Sequence, residues 1–427
     1  MKKTGCVWTA ICLLCLALGI RSEQSHELIA IKGATIIPVV GKDIPEGVIL
    51  IRNGHISDIG ASIDIPENAK VIDAKGLFAY PGMIDSCCTL GLSEIGAVRA
   101  TQDSRETGNI NPQVSSVEAL RPDSMHIPIS RSNGITMALI APAGGLISGR
   151  SGLIRLVGWT PDEMIVKNPM LMHIQLPGGG RAPGERADAT APEQDSKKIQ
   201  ELKELFHKAR YYQKRKGAAE KDAIITSPDF DEQLEFLLPV VNGELPVMIS
   251  VYTAAGILDA IKLAKEEKIK FVFYGVNEGW KVANEIKESG SPVVLGSLYG
   301  MPSKWDDGYD AIYRNPSVLS QAGVKIAFSS SDAALAKDLP YHAAKAAAFG
   351  LDKREALKGV TIYPAEIFGM ADMYGSLEKG KVANIVLADG DILEMRTNIK
   401  HVFIDGQEMD LSSVYTELLE KFKKRAK

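Results

Sequence analysis

From residue 28 to 79 apolar and polar positions alternate in short runs, IAIKGATIIPVV, GVILIRNGHISDIG and AKVIDAKGLFAY, separated by turn residues. A period of two places successive side chains on opposite faces of a half-buried strand, and Asn53-Gly54 between two such runs is a hairpin signal. The same texture returns at 375–409 in GSLEKGKVANIVLADGD and HVFIDGQEM, with Gly-Asp and Asp-Gly at the turns. Two antiparallel segments at opposite ends of the chain predict one small β-sandwich domain assembled from both, residues 23–79 and 372–411.

Between them the period changes. The apolar runs at 135–141, 246–251, 271–274, 292–295 and 324–328 are continuous, as in parallel strands buried on both faces. Helical patterns at 254–267, 278–289, 340–349 and 353–360 alternate with them. Repeated strand–helix units over nearly 300 residues predict an α/β fold, a (β/α)8 TIM-like barrel over 80–371. The glycine-rich stretches 144–150 and 178–181 lack the P-loop Lys-Ser/Thr and the dinucleotide-binding spacing, so both read as loops. Residues 177–193, rich in Gly, Pro, Arg and Ala, lead into the charged helix SKKIQELKELFHKARYYQKRKGA. That helix reads as a solvated insertion over the barrel, with a lid over its mouth as the alternative. Residues 412–427 form an amphipathic C-terminal helix with a basic end, expected to pack onto the body.

Composition narrows the partners. With 45% hydrophobic and 24% charged residues the chain is globular, and a formal charge of −4 offers no basic field for nucleic acid. Lys2 and Lys3, the apolar run 7–18 and the small residues after it have the layout of a signal peptide, residues 1–22. The run is too short to span a bilayer comfortably, so export without stable membrane insertion is expected. Cys6, Cys12 and Cys15 leave with that segment, and only Cys87 and Cys88 remain. Neighbours on a strand point to opposite faces, which disfavours a bridge between them, and both read as free thiols.

Tyr80-Pro81-Gly82-Met83-Ile84-Asp85-Ser86-Cys87-Cys88-Thr89 resembles the first barrel strand of the amidohydrolase superfamily, whose pattern is Pro-Gly-hydrophobic-Ile-Asp-x-His-x-His. The resemblance continues through NGITMALIAPAGG, EGWKVANEI, SSSDAALAKDLPYHAA, TIYPAEIFGM and the closing β segment, and looks most like the secreted, imidazolonepropionase-like branch. It implies hydrolysis of amide or other peptide-like C–N bonds by a metal held at the strand ends, and the bacterial periplasm as location. It also implies that the positions of the metal-binding histidines are here Cys87 and Thr89 on strand one, Ser250 on strand five and Gly275 on strand six. Asp332 in FSSSDAA corresponds to the strand-eight aspartate that moves the proton.

The seven histidines do not restore such a site. His26 and His55 lie in the β domain, His207 on the charged helix and His401 in the closing segment; His126 and His173 are candidates for lining the mouth, and His342 for packing. Cys87 and Asp332 with His126 or His173 would offer sulfur, carboxylate and imidazole to a single zinc, although no local spacing supports the set. Cys87 otherwise reads as a small space-filler and Asp332 as a helix cap. Glu94, Asp103 and Glu106, with Arg99 and Arg105, follow strand one where barrel loops carry function. Two functions remain: a hydrolase of C–N bonds with a degenerate metal site, or a catalytically inactive barrel that binds a small amide, a peptide-like molecule or a protein. The first predicts a perturbed carboxylate facing a pocket, the second a lumen filled by small and apolar groups.

Overall fold

The computed structural model describes residues 28–176, 191–302 and 306–426, so residues 1–22, His26 and the glycine-rich stretch 178–181 lie outside the described residues. Both ends of the chain meet in one sheet. β1 (Ile29–Ile36), β2 (Ile44–Arg52), β3 (His55–Gly60), β4 (Lys70–Asp73) and β5 (Phe78–Pro81) come from the front. Eight strands of the barrel follow: β6 (Met83–Cys88), β7 (Ile135–Ile140), β8 (Ile147–Arg155), β9 (Ile165–Gln175), β10 (Val247–Val251), β11 (Phe271–Gly275), β12 (Val293–Leu295) and β13 (Ile326–Phe328). β14 (Ile385–Ala388), β15 (Ile399–Ile404) and β16 (Gln407–Glu408) then return to the first sheet, whose order is β16-β15-β14-β5-β1-β2-β3.

β14 joins antiparallel to β5, pairing Ile385 with Pro81 and Ala388 with Phe78. β1 changes partner along its length, from β4 at Ile29–Lys32 to β5 at Thr35 and Ile36, with the shift at Gly33. The two predicted turns are both of the kind that suits right-twisted strands, with positive φ at Asn53 and Gly54 and at Asp405 and Gly406. They also touch. A Cβ on Gly406 would sit 2.8 Å from the Gly54 Cα, so neither position admits a side chain. Ile31, Ile49, Ile51, Ile385 and Phe403, from both ends of the chain, share one core.

The barrel runs β13-β12-β11-β10-β9-β8-β7-β6. Its two end strands meet through the Ser331 N–H, which donates to the Cys87 carbonyl at 3.1 Å, so the ring is nearly closed. One strand departs from the parallel arrangement: β8, third in the ring, is antiparallel to both β7 and β9. Residues 147–150, read from sequence as part of a loop, are therefore strand. Gly149 and Gly152 disguised it, and both are required by close approach of the preceding segment. A Cβ on Gly149 would meet the Val114 carbonyl at 2.7 Å, and one on Gly152 the Val117 side chain at 2.2 Å.

The helices are α1 (His126–Arg131), α2 (Pro161–Met164), α3 (Ala191–Lys221), α4 (Glu232–Val241), α5 (Ala254–Glu267), α6 (Ala283–Ser289), α7 (Ala311–Gln321), α8 (Leu339–Ala348), α9 (Lys353–Lys358), α10 (Ile362–Ile367) and α11 (Val414–Lys423). α5 to α8 each follow a barrel strand, and Thr253 caps α5 by accepting from the Gly256 N–H. The charged helix α3 is a flank of the barrel. It buries Leu202, Phe206, Ala209 and Tyr212, and pairs Lys203 with Glu266 at 2.6 Å and Arg210 with Glu267 at the end of α5. α11 departs from expectation: no residue of it is buried, so it does not pack its apolar face onto the body. No helix among the described residues is long and apolar enough to cross a membrane.

Candidate active site

Alternation along the strands decides what faces the lumen. Met137, Leu139, Leu153, Leu171, Met248, Val272, Val294 and Ala327 form one interior cluster, while Ala138, Ile140, Ile249, Phe273, Val293 and Ile326 pack outward with the helices. Continuing the period of two carries the inner face to His173 on β9, Ser250 on β10 and Tyr274 on β11; on β6 the register slips between Asp85 and Cys88, and Cys87 joins Ile84 in the inner cluster. The lower lumen is filled with apolar side chains, as a packed barrel core requires. The polar groups lie nearer the C-terminal strand ends, where barrel chemistry sits.

The strand-one and strand-eight junction is built around Asp85. Its fully buried carboxylate accepts from the Ser330 N–H at 3.1 Å, the Ser330 hydroxyl, and the Cys87 N–H at 3.3 Å. Burial pushes its pKa up to about 7, and the bonds from Ser330 and Cys87 only partly oppose that rise. Two residues on, burial and the nearby Asp85 charge push the Cys87 thiol well up, leaving it protonated at neutral pH. Beside it Tyr274 donates to the Ser331 Oγ at 2.8 Å, and Ser331 lies 3.2 Å from the Ser329 Oγ. Ser331 holds a positive φ of 64°, an uncommon conformation for a residue with a Cβ. Burial and the neighbouring Cys87 also raise the pKa of Tyr252. Cys87, Tyr252, Tyr274, Ser329 and Ser331 thus form a neutral hydroxyl and thiol cluster.

Gly275 is not the inward position of strand six. It closes β11 with φ 93°, and a Cβ there would strike the Tyr252 ring at 2.6 Å; the lumen position is Tyr274. Counting by two from Val272 identifies it from sequence. Ser250 is half-buried on the inner face of β10, and Thr89 is half-buried at the turn after β6. Asp332 is exposed, and its Oδ1 accepts from the Leu335 N–H at 3.0 Å, the geometry of a cap on the turn that follows.

The histidines have separate surroundings. The Nε2 of His126 bonds the Glu94 carbonyl oxygen at 2.8 Å. His173 is buried in the lumen wall, its Nε2 meets no hydrogen-bond partner among the described residues, and burial lowers its pKa to about 3. His342 packs under the Tyr299 ring and accepts from the Leu298 N–H at 3.1 Å, with a pKa lowered by burial to about 4. Glu106 bonds its own neighbour Thr107, and Asp103, Arg99 and Arg105 lie in the same loop, which is exposed over most of its length. Among the described residues no three His, Cys, Asp or Glu side chains converge into a group able to hold a metal ion. Sequence reasoning passed over Asp85, although it sits inside the strand-one motif, and over Tyr252, Tyr274 and Ser331.

A nearly closed eight-strand barrel joined to a sheet made from both chain ends is an architecture this chain shares with a solved amidohydrolase. The amidohydrolase family model matches residues 250–409. The chain superposes on the crystal structure of an amidohydrolase from Thermotoga maritima MSB8 with a TM-score of 0.80 and 26% identity, covering 90% of this chain and 99% of that one. It is 23% identical over 386 residues to amidohydrolase tasK of Hapsidospora irregularis, spanning 84% of this chain and 39% of that protein. A 61-residue stretch is 46% identical to 5-methylthioadenosine/S-adenosylhomocysteine deaminase of Caldicellulosiruptor saccharolyticus, 14% of that protein's length. Over residues 250–409 the chain thus matches the amidohydrolase family, and its fold is that of a solved amidohydrolase.

Proposed function

We propose that this is an exported, periplasmic member of the amidohydrolase superfamily that takes a small amide or peptide-like molecule at the mouth of its barrel, with the metal-binding positions replaced. The donor set carries the reading. The resemblance puts metal ligands at Cys87, Thr89, Ser250 and Gly275, and the inward register puts Tyr274 in place of Gly275. Zinc binds thiolate, imidazole or carboxylate, whereas Thr89, Ser250 and Tyr274 are hydroxyls and leave Cys87 as the one ordinary ligand type among the four. The residues present do not fit the metal, and no step is routed through one. What they offer is a ring of short hydrogen-bonding groups above an apolar floor, suited to hold a small polar molecule. Export rests on the layout of residues 1–22.

The family match and an aspartate at the end of strand eight favour a second reading, hydrolysis of a C–N bond with Asp332 carrying the proton. One experiment separates the two. The chain from residue 23 onward, purified without chelator and with zinc supplied, is assayed for metal content, for hydrolysis of amides and dipeptides, and for thermal shifts with the same compounds. The expected result is no stoichiometric zinc, no turnover, and stabilisation by a subset of compounds. About one zinc per chain that is lost in Cys87→Ala, or turnover abolished in Asp332→Asn, overturns the first reading and establishes the second.

A further inference from the structure

We propose that α11 lies flat on an anionic lipid surface. The helix is set by reciprocal bonds between Ser413 and Thr416 and continues into one tight turn over Lys424–Ala426. At roughly 100° per residue, Tyr415, Leu418, Leu419 and Phe422 fall within one arc of about 100°. All four face solvent, at 51%, 42%, 54% and 51% exposure, and nothing among the described residues covers them.

The charges are sorted around that stripe. Lys421 and Lys423 lie on its two borders, and the Arg425 guanidinium sits 4.8 Å from the centre of the Phe422 ring. Glu417 and Glu420 lie on the far side with Lys424, about 150° or more from the middle of the stripe, and Lys423 reaches back from its border to pair with Glu420 at 3.1 Å. Cations at the edges of an apolar face, with carboxylates turned away, complement a layer in which acyl chains lie below and phosphates beside the helix. A helix lying in a protein groove needs no such sorting. Four cations, Lys421, Lys423, Lys424 and Arg425, face two carboxylates in a chain whose overall charge is −4, so the helix is a locally positive patch on a negative molecule. The association is peripheral, since the stripe is far too short to span a bilayer.

The test uses the chain from residue 23 onward and vesicles of phosphatidylcholine alone or mixed with phosphatidylglycerol, read by co-sedimentation at low and high salt. Binding is expected only to the anionic vesicles, at least tenfold weaker at high salt. It should be at least tenfold weaker again for Leu418→Asp with Phe422→Asp, and for Lys421, Lys423 and Lys424 changed together to Gln. Because these side chains are exposed, unfolding midpoints should be unchanged, which shows that the body remains folded. Absent binding, equal binding to neutral vesicles, or unchanged binding in either variant overturns the proposal. So does a dimer in sedimentation velocity that the Leu418→Asp, Phe422→Asp variant dissolves while vesicles go unbound, which assigns the stripe to a second copy of the chain.

Discussion

Changing Asp85 to Asn should uncouple the barrel's closure from pH. The carboxyl ionises near pH 7 in the fold and near 3.8 in the unfolded chain. That gap corresponds to about 4 kcal/mol. The sign follows from which state holds the proton. Below pH 3.8 both states are protonated and the full stabilisation is present; as pH rises the unfolded chain releases its proton first, and stability drains until the folded carboxyl ionises near 7. Asn keeps the shape. Its carbonyl still accepts from the Ser330 N–H, and its amide can donate to the Ser330 Oγ, whose own hydrogen then remains for the Asp332 carbonyl at 3.0 Å. The stability of Asp85→Asn relative to the parent should therefore grow between about pH 4 and 7, by up to roughly 4 kcal/mol. Asp85→Ala, which leaves the Ser330 and Cys87 N–H groups unpaired, should lose about 2–4 kcal/mol instead. Urea unfolding of the three proteins across pH 4.5 to 8 reads these differences. Parallel stability curves for the parent and Asp85→Asn would refute the assignment.

His173 titrates with the opposite sign: neutral in the fold down to about pH 3, it favours the unfolded chain as pH falls below 6.5. His173→Leu, which sacrifices no hydrogen bond at Nε2, should leave stability at pH 8 within about 1.5 kcal/mol and flatten the acid limb; an unchanged acid limb would count against burial as the cause. Gly275→Ala places a methyl 2.6 Å from the Tyr252 ring at a φ of 93°, and thermal denaturation should show a loss of about 2–4 kcal/mol. A cost below about 0.5 kcal/mol would show that the strand-six end yields freely. Tyr274→Phe removes one hydroxyl from a cluster in which Ser331 keeps Ser329, so the expected loss is near 1 kcal/mol; a much larger loss would mean that this hydroxyl alone holds the mouth together.

Much of the architecture was legible because its signals are local. Period-two runs with Asn53-Gly54 and the Asp405-Gly406 turn announce antiparallel hairpins, and continuous apolar runs announced β7, β10, β11, β12 and β13. β8 was illegible for a physical reason. Its glycines at 149 and 152 look like loop punctuation, yet they answer to Val114 and Val117, which lie more than thirty residues earlier in the chain. The site was legible in part. Cys87 and Ser250, named through the resemblance, face the lumen, whereas Gly275 lies one residue beyond the inward Tyr274, and a slip of one turns a strand position from inside to outside. The Asp332 cap needs only a hydrogen bond three residues away. Asp85 was hidden because its partner, Ser330, is brought to it only by closing the ring.

The contact between the Gly54 and Gly406 turns bears on how the chain is made. Synthesis delivers residues 29–81 first, and β5 then presents an unoccupied edge until β14 emerges some 300 residues later. Throughout that interval an open strand edge lies beside half a hydrophobic core, the arrangement that templates pairing with a neighbouring molecule. The last strands are therefore a clasp as much as a domain: until they lock, the edge of β5 stays open, and a chain truncated before residue 385 is expected to aggregate even with its barrel complete.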